Sequence, residues 1–180
     1  YSNFINNASG ANGVKINGIV NWSITANDTT GLSYYFFAHN NSGILVNVSN
    51  GTLSGTSKFI NYTATITKGR GHYICGQFWV NDTSDQVNQT DLSCFTVNNT
   101  APTMTSAELN KTSSVVNTDD LNCTAIGKAD SDTEDTTAYH FEWYNMSTAK
   151  GYDTPYLIKN LTGLGTLYCE AWVTDSYLNS

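Results

Sequence analysis

The segment that decides the fold is Tyr73-Ile74-Cys75-Gly76-Gln77-Phe78-Trp79-Val80-Asn81-Asp82. Its apolar residues recur with a period of two, which is typical of a half-buried β-strand. A similar segment runs from Gly165 to Asp175. Gly71-His72-Tyr73-Ile74-Cys75 matches Gly165-Thr166-Leu167-Tyr168-Cys169, and Val80-Asn81-Asp82 matches Val173-Thr174-Asp175. The chain therefore contains an internal repeat of a β-rich unit.

Other segments with the same period extend the repeat on both sides. They are separated by Gly- and Asn-rich turns, and this spacing predicts two all-β sandwich domains. The predicted strands of the first set are 20–24, 34–38, 59–66, 73–80 and 94–97, and those of the second set are 121–126, 139–144, 156–161 and 166–173.

The joint between the two sets is predicted at Asn98-Asn99-Thr100-Ala101-Pro102, because proline ends one strand and begins a new segment. A length of 180 residues suits two such domains. We therefore predict an N-terminal strand at 1–10, a first domain at 11–100 and a second domain at 101–180.

Asparagine-linked glycosylation sequons are unusually frequent in this chain. It has 22 Asn and 42 Ser or Thr, which by chance would give about five Asn-x-Ser/Thr sequons. The fourteen that occur predict a densely glycosylated, secreted or cell-surface protein. Their asparagines are Asn7, Asn21, Asn27, Asn40, Asn47, Asn50, Asn61, Asn81, Asn88, Asn98, Asn110, Asn122, Asn145 and Asn160.

Composition excludes several classes of protein. Net charge is −7 and no basic cluster occurs, which argues against nucleic acid as a partner. No apolar run approaches 18 residues, so we expect no membrane-spanning helix. The chain begins at Tyr1 without a signal sequence, and we expect it to be a mature or trimmed product.

Four cysteines predict two disulfides, and their number allows three connectivities. The segment Tyr168-Cys169-Glu170-Ala171-Trp172-Val173-Thr174-Asp175-Ser176 resembles the end of an immunoglobulin-like or polycystic-kidney-disease-type surface repeat. The joint Val97-Asn98-Asn99-Thr100-Ala101-Pro102 is similar to joints in tandem surface proteins of archaea and some bacteria. The overall organisation also resembles subunits of heavily glycosylated extracellular fibrils that are joined by an N-terminal strand.

This resemblance implies a disulfide pairing. The order Cys123, Trp143, Cys169 is that of the bridge between sheets in immunoglobulin domains. Trp22 stands at the position of Cys123 in the first repeat, which leaves Cys75 to pair with Cys94 across a hairpin. We therefore expect Cys75–Cys94 within one sheet and Cys123–Cys169 across a core.

One end of the chain has a strand to spare, and the other lacks one. The first repeat continues into a last strand at 94–97, whereas the second has no counterpart after Val173. The N-terminal segment 2–9 is similar in sequence to 94–101. We therefore expect Phe4 and Ile5 of one copy to complete the second domain of another beside Cys169, Ala171 and Val173, by β-augmentation.

Such a contact between unlike surfaces propagates into an open helical polymer. The sequence thus predicts a structural subunit of an extracellular fibril or surface layer, with copies of itself as partners. Two alternatives stay open. The missing strand could lie beyond Ser180 in a longer tandem array, and the chain could be an adhesive or ligand-binding module of a larger surface protein.

Catalysis has little support in the sequence, and we expect no enzyme. The three histidines, His39, His72 and His140, lack metal-ligand spacing, and no hydrolase or phosphate-loop motif occurs. An acidic stretch makes Asp130, Asp132 and Glu134 a weak candidate for Ca²⁺, although a solvated loop is the simpler interpretation. No other cofactor is expected.

Overall fold

A computed structural model describes residues 2–8, 13–113, 116, 119–145, 148–157 and 165–177. The regular elements named in these residues are β-strands, as the period of two predicts. Across the described residues, no helix has the length and apolar character that crossing a membrane requires. In chain order the strands are β1 (Ser2–Asn6), β2 (Val14–Lys15), β3 (Ile19–Asn27), β4 (Leu32–His39), β5 (Val46–Thr52), β6 (Ser57–Thr65), β7 (Tyr73–Asp82), β8 (Val87–Gln89), β9 (Ser93–Asn98), β10 (Ser106–Leu109), β11 (Leu121–Ile126), β12 (Ala138–Asn145), β13 (Thr148–Ala149), β14 (Tyr156–Leu157) and β15 (Leu167–Thr174).

The chain divides into two compact domains, residues 1–100 and 101–180. The division falls within the Asn98–Pro102 joint. The N-terminal strand β1 lies in the first domain, whereas the sequence had set 1–10 apart as a separate element.

The first domain has two sheets that enclose one core. One sheet has the order β1-β3-β6, and the other has the order β2-β9-β7-β4-β5, with β8 also paired to β7. The alternation of β3 directs Val20, Trp22, Ile24 and Ala26 inward, at 0–1% exposure. Phe37, Ile74, Phe78 and Val97 meet them from the larger sheet.

The second domain repeats this plan with fewer strands. Its sheets have the orders β10-β11-β14 and β13-β12-β15 among the described residues. Among its described residues, the buried hydrophobic side chains are those of Leu121, Cys123, Phe141, Trp143, Leu157 and Val173.

An asparagine clasp shows which strands correspond. In the first domain the backbone N–H of Asn21 donates to Oδ1 of Asn7 at 2.8 Å, and the N–H of Asn7 donates to the carbonyl of Asn21 at 3.2 Å. Asn122 and Asn110 make the same two bonds, at 2.9 and 3.0 Å. Strand β1 is therefore the counterpart of β10, and β3 is the counterpart of β11.

Stacked rings on the other sheets extend the correspondence. Phe36 stacks on Trp79 across β4 and β7 with ring centroids 4.9 Å apart, and His140 stacks on Trp172 across β12 and β15 at 5.6 Å. Three pairs further along the two ladders, His39 faces Gly76 and Trp143 faces Cys169. Gly76 is thus the counterpart of Cys169, one residue away from the alignment that the sequence suggested.

Candidate functional site

In the second domain, one strand edge has no strand partner among the described residues from Leu167 to Trp172. Strand β15 pairs with β12 over eight residue pairs, from Ala138–Thr174 to Asn145–Leu167. Its counterpart β7 pairs with β4 on one side and with both β9 and β8 on the other. Within the described part of the second domain, nothing takes the places of β9 and β8.

The inner face of β15 shows the consequence of this missing neighbour. Ile74 and Phe78 of β7 are 1% and 0% exposed. Their counterparts Leu167 and Ala171 are only half-buried, as is Cys169. An edge that exposes both backbone groups and core side chains is suited to receiving another strand.

The edge is nevertheless held firmly to its domain. Cys169 forms a disulfide with Cys123 of the facing sheet, and their Cα atoms are 6.4 Å apart. The other disulfide joins Cys75 to Cys94, which are register partners on β7 and β9. Both pairs are those expected from the sequence.

The outer face of β12 and β15 is built from planar and acidic side chains. Tyr144 and Tyr168 stack at 4.6 Å with an angle of 7° between the rings. Glu142 lies directly opposite Glu170, and the hydroxyl of Tyr144 donates to Oε2 of Glu170 at 3.1 Å. This bond raises the pKa of Tyr144, because the carboxylate favours the protonated phenol.

The ring of His140 is fixed on the same face. Its Nδ1 lies 2.7 Å from Oδ2 of Asp153, and its Nε2 lies 2.9 Å from Oγ1 of Thr174. The hydrogen bond to His140 holds the pKa of Asp153 below its ordinary value. The carboxylate of Asp153, the imidazole of His140 and the hydroxyl of Thr174 thus form a connected series that braces the outer face beside Trp172.

The N-terminal strand, expected to be spare, is seated in its own first domain. Strand β1 pairs antiparallel with β3, and the ring of Phe4 meets that of Phe78 edge-on at 5.7 Å. Ile5 is 59% exposed on the other face of the sheet. Strand β2 pairs parallel with β9 in the other sheet, so it is β1 that pairs with this side of β3.

The seat of β1 is irregular as well as local. Its register with β3 shifts between Ser2 and Ile5, and Asn3 has a φ of 55°. A non-glycine residue in this left-handed region is uncommon and signals local strain. Strand β1 is therefore the edge of its sheet, held by Phe4 and by the Asn7 clasp.

The five residues predicted to form a subunit interface differ in burial. Phe4, Cys169 and Ala171 are half-buried, Ile5 is exposed and Val173 is fully buried. The structure brings Cys169, Ala171 and Val173 together along β15, and it places Phe4 and Ile5 in the first domain.

The sequon asparagines lie at the surface of the described chain. Eight of the thirteen described are exposed, five are half-buried and none is buried. The half-buried ones are Asn21, Asn40, Asn81, Asn122 and Asn145, and Asn160 lies outside the described residues. Asn40 also has a structural task, because its Nδ2 donates to the carbonyl of Tyr73 at 3.0 Å and its Oδ1 accepts from Cys75 at 2.7 Å.

The acidic stretch forms a different group from the one predicted. Carboxylate oxygens of Asp130, Asp135 and Asp175 lie within 4.8 Å of one another. Asp132 is buried and its backbone N–H donates to Oδ1 of Asp130 at 2.8 Å, whereas Glu134 is exposed. Sequence could not place Asp175 here, because it follows β15 and is distant in the chain.

A cleft of about 240 Å³ opens between β3 and the β7–β8 hairpin of the first domain. Ile24, Phe78 and Val80 line it. Three sequon asparagines, Asn27, Asn81 and Asn88, also lie along its lining. Sugars on these side chains would crowd the mouth of the cleft.

The histidines are separated from one another. His39 is 7% exposed and packs on Trp22 with ring centroids 5.8 Å apart. Its burial lowers its pKa, because the charged form is poorly solvated there.

No family model matches the chain, and comparison with curated proteins finds no relative.

Proposed function

We propose that this chain is a structural unit of a densely N-glycosylated extracellular assembly, in which a strand from another copy completes the open edge of β15. The observation that carries the proposal is the half-buried inner face of Leu167, Cys169 and Ala171, where β12 is the one strand that pairs with β15 among the described residues. The corresponding face of β7 is sealed by β9, which shows what the second domain would gain.

The proposal includes an immunoglobulin-like organisation for each domain. Two facing sheets, a disulfide from β11 to β15 and the buried Trp143 between them support it in the second domain. The surface position of the sequons supports a glycan coat, since no described sequon asparagine is buried.

The proposed donor is β1 of a neighbouring copy. Strand β1 has only one strand neighbour in its own sheet and an irregular register, and its Phe4 offers an aromatic side chain to the acceptor. Donation would leave β3 unpaired on that side, so the transfer resembles a domain swap and requires release of the Asn7 clasp. Burial of a Phe side chain contributes about 1.5–3 kcal/mol in either seat.

A disulfide clamp tests this donor directly. Ile5 and Ser23 are register partners, so the double variant Ile5→Cys/Ser23→Cys would lock β1 onto β3. The matched control, Ile5→Ser, has the same loss of the apolar side chain but cannot form the clamp. Negative-stain microscopy should show filaments for the control and none for the clamped chain.

Filaments of normal length from the clamped chain would exclude β1 as the donor. A wild-type chain that stays monomeric over all concentrations would contradict the assembly itself. The alternative, a ligand-binding module, rests on the cleft in the first domain. Its three lining sequons count against it, and occupancy of Asn27, Asn81 and Asn88 measured by glycopeptide mass spectrometry decides between the two.

A further inference from the structure

Three edge strands of the first domain have little charge to protect them against pairing with other chains. Exposed edges are normally guarded by charged residues, proline or a bulge. Strands β5 and β8 contain neither charge nor proline, and β6 contains only Lys58. The register of β5 with β4 shifts once, between Phe37 and Ala38, and the ladder of β6 with β3 is regular. Their sequences are rich in β-branched, aromatic and amide residues, which favour strand addition.

These edges also expose apolar side chains. Phe59 of β6 is 62% exposed and Val87 of β8 is 64% exposed. Phe59 stands opposite Thr25 of β3, so it lies on the outer face of a regular nine-pair ladder. A flat, regular and nearly uncharged edge of this kind is a predicted site of aggregation.

Each of the three edges carries at least one sequon. Asn47 and Asn50 lie on β5, Asn61 lies at the middle of β6 and Asn88 lies at the middle of β8. All four side chains are exposed. The edge of β15 differs, because no sequon occurs from Gly165 to Tyr177.

We propose that N-glycans on β5, β6 and β8 act as edge guards, which block strand pairing there and leave β15, the longest of the described edge strands without a sequon, to accept a partner. This inference rests on the proposed glycan coat. A branched sugar chain is bulky and strongly hydrated, so a second backbone cannot reach the 4.7–4.9 Å spacing of a β-ladder beside it. The glycans therefore select the direction of assembly as well as keep the chain soluble.

The test compares sequons on edges with sequons on central strands. The edge variant is Asn47→Gln/Asn61→Gln. The matched control is Asn21→Gln/Asn122→Gln, which loses the same number of sugars from β3 and β11, the central strands of their sheets. A third variant, Asn47→Lys/Asn61→Lys, lacks the same edge sugars but restores a charged guard.

The protein is produced in a glycosylating host, and glycopeptide mass spectrometry first confirms sugar at the four positions. Self-association is then measured by analytical ultracentrifugation, with thermal unfolding as the check on folding. We expect the Gln edge variant to self-associate roughly tenfold more tightly than wild type. The central-strand control and the Lys edge variant should match wild type.

Equal association of the edge and central variants would show a general effect of sugar on solubility and would overturn the edge-guard role. Association equal to wild type in all variants, or absence of sugar from Asn47 and Asn61, would overturn it too. Each association measurement compares a glycan variant with wild type, so a negative result does not bear on whether β15 accepts a strand. The disulfide clamp between β1 and β3 tests that proposal separately.

Discussion

The two domains occupy the same central core position with different chemistry. In the second, Cys123 on β11 is bonded to Cys169 on β15, and Trp143 packs beside them at 0% exposure. In the first, Trp22 takes the place of Cys123 and Gly76 takes the place of Cys169. The buried indole of the first domain therefore comes from β3, whereas that of the second domain comes from β12 in the other sheet. His39 is the counterpart of Trp143.

Gly76 is what makes the exchange possible. A Cβ at this position would lie 2.7 Å from Cζ of Phe37 and 2.8 Å from Nε1 of Trp22. Only glycine leaves room for the indole, whose Nε1 donates to the carbonyl of Ser93 at 3.3 Å. The disulfide of this domain has moved one residue along the strand to Cys75, where it joins neighbouring strands.

The comparison suggests why only the second domain has a bridge across its core. The first domain seals its core with β9 and the edge strands, and among the described residues it buries more side chains than the second. A smaller core gains more from a covalent link between its sheets. The bridge therefore ties β15 to the facing sheet, in a domain where β12 is its one strand neighbour among the described residues.

Trp22→Ala is expected to have the largest effect on stability, because it removes the side chain that distinguishes the first core from the second. Removing a fully buried indole should cost about 3–5 kcal/mol in the free energy of unfolding of the first domain. Hydrogen exchange followed by mass spectrometry separates the two domains and should show no change in 101–180. The control is Trp79→Ala on the outer face. An equally large loss there would refute the assignment of Trp22 as the core anchor.

Loss of the Cys123–Cys169 bridge should follow in size. Cys123→Ala/Cys169→Ala should lower the stability of the second domain by about 2–5 kcal/mol. The Cys75–Cys94 bridge closes a shorter loop, with a sequence separation of 19 rather than 46. The loop-entropy model therefore predicts that Cys75→Ala/Cys94→Ala lowers stability by about 0.8 kcal/mol less. Chemical denaturation of each variant checks the order, and a larger loss from the shorter loop would contradict it.

A smaller effect sharpens the role of Gly76. Gly76→Ala should destabilise the first domain by about 1–3 kcal/mol, because the added methyl overlaps Trp22 and Phe37. The same substitution in a Trp22→Phe background should cost less, since the smaller ring leaves space. Double-mutant analysis of thermal unfolding measures this coupling, and strict additivity would show that the two residues are independent.

The smallest effect is a dependence of the stability of the first domain on pH near 6.5, the ordinary pKa of histidine. Burial lowers the pKa of His39 in the folded state, and the backbone N–H of Asn41 donates to its Nδ1 at 3.2 Å, a bond that needs the neutral ring. As pH falls below about 6.5, His39 is therefore protonated in the unfolded chain before it is protonated in the folded one, which favours unfolding. Stability should be full above this pH and decline below it, and His39→Phe should flatten the profile. An unchanged profile would exclude His39 as the cause.

Alternating strands with apolar inner faces could be predicted from sequence, because Trp22 and Cys123 lie between outward sequon residues. Strand 121–126 was predicted with its observed bounds. Strand β5 was missed because Asn47, Ser49 and Asn50 give it little apolar character, and its pairing with β4 is a tertiary effect. The structural match of Gly76, rather than Cys75, with Cys169 was also missed. The period-two pattern does not reveal that a glycine is needed to make room for the indole of Trp22 on another strand.

The candidate site was predictable in part for the same reason. The sequence predicted that β15 has fewer neighbours than β7, because comparison of the two repeats reveals a missing strand, and the described residues pair β15 with β12 alone. It could not show that β1 is seated on β3, since the Asn7 clasp depends on side-chain geometry. The clustering of Asp175 with Asp130 and Asp135 likewise depends on how two loops meet in space.

Hydrogen exchange at β15 tests the central claim most directly. In the isolated chain, the amides of Leu167–Trp172 that do not bond to β12 should exchange much faster than the amides of β7, which is paired on both sides. In the assembled material the same β15 amides should become protected. Fast exchange that persists in filaments, or β15 amides as protected as those of β7 before assembly, would contradict the account.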